Sequence, residues 1–230
     1  SVLELGGSDP YIVLADADIQ KAAEACVSSR MINSGQSCIA AKRLIVVESV
    51  ADEFTESVVN LMQAKCQGDP QQDDTELGPM AREDLRDELH GQVMSSVAQG
   101  ANIALGGEVE ERPGAWYPAT VLTDVAPGMP AFDEELFGPA AAIIRVTDEA
   151  QAIHYANLSV YGLGAAVFSQ DLNQAEKIAA QLEAGAVAIN DFVRSDPRMP
   201  FGGVKDSGYG RELSHYGMRE FVNIKSVTVA

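Results

Sequence analysis

Tyr11-Ile12-Val13-Leu14-Ala15-Asp16-Ala17-Asp18-Ile19 is the stretch that decides the fold class. A four-residue apolar run reads as a strand, and Asp16 or Asp18 can then cap a helix. In that helix Ile19, Ala22, Ala23, Cys26 and Val27 recur at helical spacing. Gly35 lies where it should stop, and residues 44–47 are the next apolar run. The alternation continues. Val50, Phe54, Val58, Leu61 and Met62 share one helical face, and Leu85, Leu89, Val93 and Val97 share another. Residues 103–105, 116–122, 141–146, 164–168 and 186–190 read as strands, with Asp148 and Asp171 opening helices between them. Residues 211–221 read as a helix and 224–229 as a final strand. This order predicts an α/β fold, a mostly parallel sheet with helices on both faces. The acid-rich segment 68–78 reads as a surface connection.

Composition narrows the partners. The 230 residues are 46% apolar, enough for a sizeable core. Sixteen Lys and Arg stand against 34 Asp and Glu, a formal charge of −18 with no basic cluster. Such a surface is repelled by phosphate backbones and anionic lipid, so we expect neither nucleic acid nor membrane as partner. No run of 18 apolar residues and no basic-then-apolar leader is present, and a cytoplasmic location is the expectation. Three cysteines without a Cys-x-x-Cys make neither a disulfide framework nor a metal site.

One of those cysteines stands apart. Asn33-Ser34-Gly35-Gln36-Ser37-Cys38 puts a thiol in a small, polar, glycine-containing loop between a helix pattern and a strand pattern. Cys26 lies on an apolar helical face, and Cys66 has no motif around it. Leu3-Glu4-Leu5-Gly6-Gly7 sets a lone carboxylate between leucines, 34 positions before Cys38. Desolvation there can raise an acid toward neutral pH, the range of a general base. Glu134-Glu135-Leu136-Phe137-Gly138-Pro139 and Pro200-Phe201-Gly202-Gly203-Val204-Lys205-Asp206-Ser207-Gly208-Tyr209-Gly210-Arg211-Glu212 complete an ordered set of four motifs.

The set resembles the catalytic half of the aldehyde dehydrogenase superfamily, from Leu3 to the C-terminus. The resemblance implies Cys38 as nucleophile, forming a thioester, and Glu4 as the base that activates the deacylating water. It implies NAD or NADP as cofactor, with Glu135 on the nicotinamide ribose and Phe137 beside the ring. It also implies that the Rossmann-type cofactor domain precedes the Glu-Leu-Gly-Gly motif, so that most of the dinucleotide site lies outside this chain. Residues 1–209 are expected to form the catalytic domain and 210–230 an oligomerisation helix and strand, giving a homo-oligomer.

The substrate is expected to be a small aldehyde. Arg30, Ser195 and Arg198, with the segments around Leu77, Asp84 and Arg211, resemble bacterial succinate-semialdehyde dehydrogenases, in which a guanidinium and a hydroxyl hold the far carboxylate. One position departs: Ile32 stands six residues before Cys38, where an arginine is often found. A CoA-acylating enzyme is the alternative within the family, and Glu4 argues against it. A non-catalytic assembly domain is the alternative outside it.

Overall fold

In the computed structural model, which describes residues 1–230, the strands are β1 (Leu3–Glu4), β2 (Asp9–Val13), β3 (Ala41–Val47), β4 (Asn102–Leu105), β5 (Thr120–Thr123), β6 (Ala140–Val146), β7 (Tyr161–Gly162), β8 (Gly164–Phe168), β9 (Ala186–Ile189), β10 (Val204–Lys205) and β11 (Gly208–Tyr209). The helices are α1 (Ile19–Met31), α2 (Glu48–Gln63), α3 (Glu83–Ala98), α4 (Pro130–Asp133), α5 (Glu149–Asn157), α6 (Leu172–Ala179) and α7 (Ser214–Glu220). Seven strands form one sheet in the order β4-β5-β6-β3-β2-β8-β9, parallel throughout except where β4 runs against β5. The α/β sheet expected from the apolar runs is therefore present.

Strand alternation sorts the core into two layers. Ile12, Ile45, Leu122, Ala142, Ile144 and Val167 face one side, with α3, α5 and α6. Tyr11, Val13, Leu44, Val46, Val121 and Ile143 face the other, with α1 and α2. Residues successive in a strand point to opposite faces, so a strand buried on both sides reads as unbroken apolar sequence. Of the two aspartates proposed for the α1 cap, Asp18 does the work, accepting from the Lys21 amide. Asp16 instead accepts from the Ser169 hydroxyl and the amides of Gln170 and Asp171, tying the end of β2 to that of β8. Asp148 and Asp171 cap α5 and α6 as their positions predict.

Three boundaries differ from expectation. The strand expected over 116–122 begins only at Thr120, since Pro118 has no amide to give a ladder. The last helix is shorter than 211–221, because Leu213 and Ser214 take positive φ at its start. Residues 224–229 form no strand: they are without regular structure, and Ile224, Val227 and Val229 are exposed. A strand exists only through a neighbour's donors and acceptors, and no edge of this sheet runs alongside them. No helix is long and apolar enough to cross a membrane.

Two small ladders lie beside the main sheet. β1 pairs with β11 and β7 with β10, which brings the Glu4 and Phe-Gly-Gly motifs together.

Candidate active site

The loop carrying Cys38 is built by a reversal of the chain. After α1, Asn33, Ser34 and Gly35 all adopt positive φ. Asn33 and Gln36 close the turn reciprocally, Asn33 Nδ2 donating to Gln36 O at 2.9 Å and Gln36 Nε2 to Asn33 O at 3.1 Å. Gln36 Oε1 also accepts from the Ala81 amide at 2.8 Å. A side chain at Gly35 would strike the Gly138 carbonyl, so only glycine lets this loop rest on the Glu-Leu-Phe-Gly-Pro segment.

Cys38 is half-buried and packs, with Ile39, against Leu163, Val193 and Phe201. Burial pushes its thiol up, and the nearby Lys42 ammonium opposes that shift without reversing it.

Gly7 crosses directly over this loop. A Cβ built on it would lie 2.6 Å from Cys38 O, and its amide donates to Glu135 Oε1 at 3.1 Å. Glu135 also pairs with Lys42 at 3.3 Å. Phe137, 37% exposed, lines with Glu135 a groove of about 310 Å³ completed by Leu85, Glu88, Gln92 and Tyr161. Three of the four motifs thus converge on one point through backbone contacts.

Glu4 is held differently. Its strand pairs with only Tyr209 and Gly208, and Leu5 N donates to Ser207 O at 3.1 Å. Buried Ser207 anchors the Gly-Gly turn, its hydroxyl donating to Gly6 O at 2.6 Å. The Glu4 carboxyl lies beside Gly202, and Oε1 is buried without a hydrogen-bond partner. Burial raises its pKa, Glu212 raises it further and Arg211 lowers it. The sequence reading anticipated the desolvation; it missed Glu212, whose approach depends on the 201–212 turn.

The residues proposed for substrate separate. Arg30 is a correction: it is 0% exposed, and its guanidinium donates to the carbonyls of Leu136, at 3.3 Å, and Gly35. It ties α1 to the Glu135 segment and is not open to a ligand. Ser195 and Arg198 lie on the exposed 191–200 loop, where Arg198 is 85% exposed and forks onto Asp196 at 2.6 Å. Arg194 belongs to the same charged segment and pairs with Asp191 at 2.7 Å. It stacks on Phe192 and lines, with Val193 and Phe201, a groove of about 460 Å³. Cys38 packs on the cluster that Val193 and Phe201 form with Leu163, and Lys42 joins its carbonyl to Glu135, so the thiol loop touches lining residues of one groove and is tied to a lining residue of the other.

Residues 1–227 match the aldehyde dehydrogenase family model. The chain is 54% identical to the succinate semialdehyde dehydrogenase [NAD(P)+] Sad of Escherichia coli K12, over 98% of this chain and 49% of that protein. It is 50% identical to the succinate-semialdehyde dehydrogenase [NADP(+)] of Deinococcus radiodurans, over 98% and 47%. The crystal structure of the Streptococcus pyogenes succinic semialdehyde dehydrogenase in complex with NADP+ superposes with a TM-score of 0.95 at 37% identity, covering 99% of this chain and 50% of that one. The chain spans about half the length of the curated relatives it matches. It belongs to the aldehyde dehydrogenase family.

Proposed function

We propose that this chain is the catalytic portion of an NAD(P)-dependent dehydrogenase that oxidises succinate semialdehyde to succinate through a thioester on Cys38. The observation that carries the reading is the pair of contacts the Cys38 loop makes: Lys42 joins the Cys38 carbonyl to Glu135, which lines one groove with Phe137, and Cys38 packs on the cluster containing Val193 and Phe201, which line the other with Arg194. An oxidation by hydride removal needs that arrangement, with acceptor on one side of the reacting carbon and substrate tail on the other.

Cys38, having lost its thiol proton to solvent, attacks the aldehyde carbon as the thiolate, giving a hemithioacetal whose oxyanion can take a hydrogen bond from the Cys38 backbone N–H. The dinucleotide, when bound, supplies the hydride acceptor that makes this adduct a thioester. Glu135 and Phe137 fit it, since the acid is fixed by Gly7 N and Lys42 at the wall of the groove and the ring is part-exposed there. Glu4 then takes a proton from water as that water attacks the thioester, and its unpartnered Oε1 is an acceptor available for the purpose. Acid is released and Cys38 restored.

The succinate-semialdehyde assignment draws on relatives 46–54% identical that bear that name. With Arg30 buried, the far carboxylate falls to the 191–200 loop, to Ser195, Arg198 or Arg194. Activity is tested in a full-length polypeptide that carries this segment. Succinate semialdehyde turnover that disappears in Cys38→Ala, with a Cys38 acyl adduct trapped by mass spectrometry in the parent, supports the reading. Turnover surviving Cys38→Ala contradicts it. We further propose that residues 210–230 serve assembly, the exposed apolar side chains of 221–229 meeting another subunit.

A further inference from the structure

Lys42 sits at the start of β3, 1% exposed, four residues after the thiol. Its Nζ lies 2.8 Å from Cys38 O, 2.9 Å from Ser37 O, 3.4 Å from Ala40 O and 3.3 Å from Glu135 Oε1. Three N–H groups face four oxygens, and the three nearest belong to the nucleophile loop and to the acid of the dinucleotide groove. A compact ammonium with three rotatable donors on a flexible stem can do this. Burying such a charge is costly unless its partners matter.

We propose that Lys42 is a positioning residue: its single ammonium clamps the Cys38 carbonyl and the Glu135 carboxylate together, so that thiol loop and dinucleotide groove keep one relative placement, and it sets a positive charge beside the thiol. The proposal deepens the reading of Cys38 as nucleophile, but its test measures the thiol alone.

The charged and titratable groups around Lys42 are Asp9 from β2, Arg30 from α1, Glu135 from the segment after α4, and Cys38. Asp9 is itself buried, with Oδ1 accepting from the Gly164 amide at 3.0 Å and Oδ2 unpartnered. Arg43, next in sequence, turns away to the carbonyls of Ser8, Tyr155 and Ala156. Burial, then Arg30, lowers Lys42 to about 8, with Asp9 and Glu135 pulling the other way. As pH rises through that value the ammonium loses its proton, the clamp loses a donor, and the pull on the Cys38 thiol weakens.

The experiment uses the full-length polypeptide that carries this segment, with the exposed thiol of Cys66 removed by Cys66→Ser and the Cys38 peptide followed on its own; Cys26 is fully buried. Alkylation of Cys38 by iodoacetamide is followed by mass spectrometry from pH 6 to 10. In the parent the rate should rise over a broader pH span than one ionisation allows, because a second group titrates near 8. Lys42→Met should alkylate about tenfold more slowly below pH 8, the worth of one unit of thiol pKa, with a single ionisation. Lys42→Arg keeps a charge that does not titrate, and should restore most of the rate below pH 8 with a single ionisation. Equal rates and profiles in parent and Lys42→Met overturn the proposal, as does faster alkylation in Lys42→Met, which marks a loop merely loosened. Should Lys42→Met fail to fold, the parent decides alone: a profile fitted by one ionisation overturns it. If instead Cys38 alkylates as described but the full-length enzyme forms no Cys38 adduct with aldehyde, the clamp stands and the proposed function fails.

Discussion

Cys38 and Glu4 are held by different means. The Cys38 loop is a knot: positive-φ residues, reciprocal Asn33 and Gln36 bonds, the Lys42 ammonium and buried Arg30 all fix it to the centre of the sheet. Glu4 lies on a two-residue strand whose partner is another two-residue strand, with a carboxyl oxygen left unpaired. The proposed roles suit these mounts: attack on a carbonyl depends on the angle and distance of one atom, and a rigid mount serves it. Water activation requires an acid whose proton affinity is tuned and whose position adjusts, and a lighter mount serves that.

Substitutions can break either mount separately. The largest effect is expected from Arg30→Met, which strips donors from the Leu136 and Gly35 carbonyls in a dry site. It should cost about 3 kcal/mol of unfolding free energy in urea and blur the Cys38 alkylation profile. A cost under about 1 kcal/mol would show that the knot holds without it.

Asp9 offers a pH-dependent version. Burial, opposed first by Lys42, raises its carboxyl from 3.8 to about 6, so the native state keeps a proton that the unfolded chain has lost. Stability therefore falls as pH climbs from about 4 to about 6 and is flat above. Measured as the difference between parent and Asp9→Asn, that loss should be on the order of 2 kcal/mol. A difference independent of pH would place Asp9 in a better solvated setting.

Gly208→Ala attacks the other mount. Gly208 has φ +117, and a Cβ there meets the Leu3 carbonyl, so β1 and β11 must part. The cost should be about 1–2 kcal/mol. The Glu4 carboxyl, followed by ¹³C NMR titration, should return toward its ordinary value while Cys38 alkylation stays within about twofold. Matching losses at both residues would mean that the two mounts are one. The smallest effect belongs to the C-terminus. Removing residues after Asn223 should change the stability of the lone chain by less than about 0.5 kcal/mol, since the side chains lost are exposed. In the full-length protein the same cut should lower the oligomeric state seen by light scattering.

The sheet was legible because strands buried on both faces leave unbroken apolar runs, as in Tyr11 to Leu14 and Leu44 to Val47. The motifs made Cys38 and Glu4 the candidates, and the structure shows how each is mounted. What sequence reading missed was buried charge. Arg30 follows Ala23, Cys26 and Val27 by seven, four and three positions, which sets it on the buried face of α1, and that spacing was a usable warning. Lys42 and Arg43 begin a strand covered on both sides, so both had to be buried. The Lys42 partner Glu135 and the Arg43 partners Tyr155 O and Ala156 O lie about 90 or more residues away in sequence and leave no local signal. The end of the chain misled for the opposite reason: residues 224–229 have the composition of a strand, but a strand is a property of a pair.

The most direct test of the account is a burst experiment on the full-length protein that carries this segment. Glu4→Gln keeps the shape of the side chain and removes its proton acceptor. If Cys38 forms the thioester and Glu4 frees it, rapid mixing with succinate semialdehyde should give one equivalent of NAD(P)H per site, followed by a steady rate slower by about 10² to 10⁴ than the parent. Loss of the burst itself, with thioester hydrolysis still fast, would place Glu4 at the activation of the Cys38 thiol and contradict the division of roles between the two mounts.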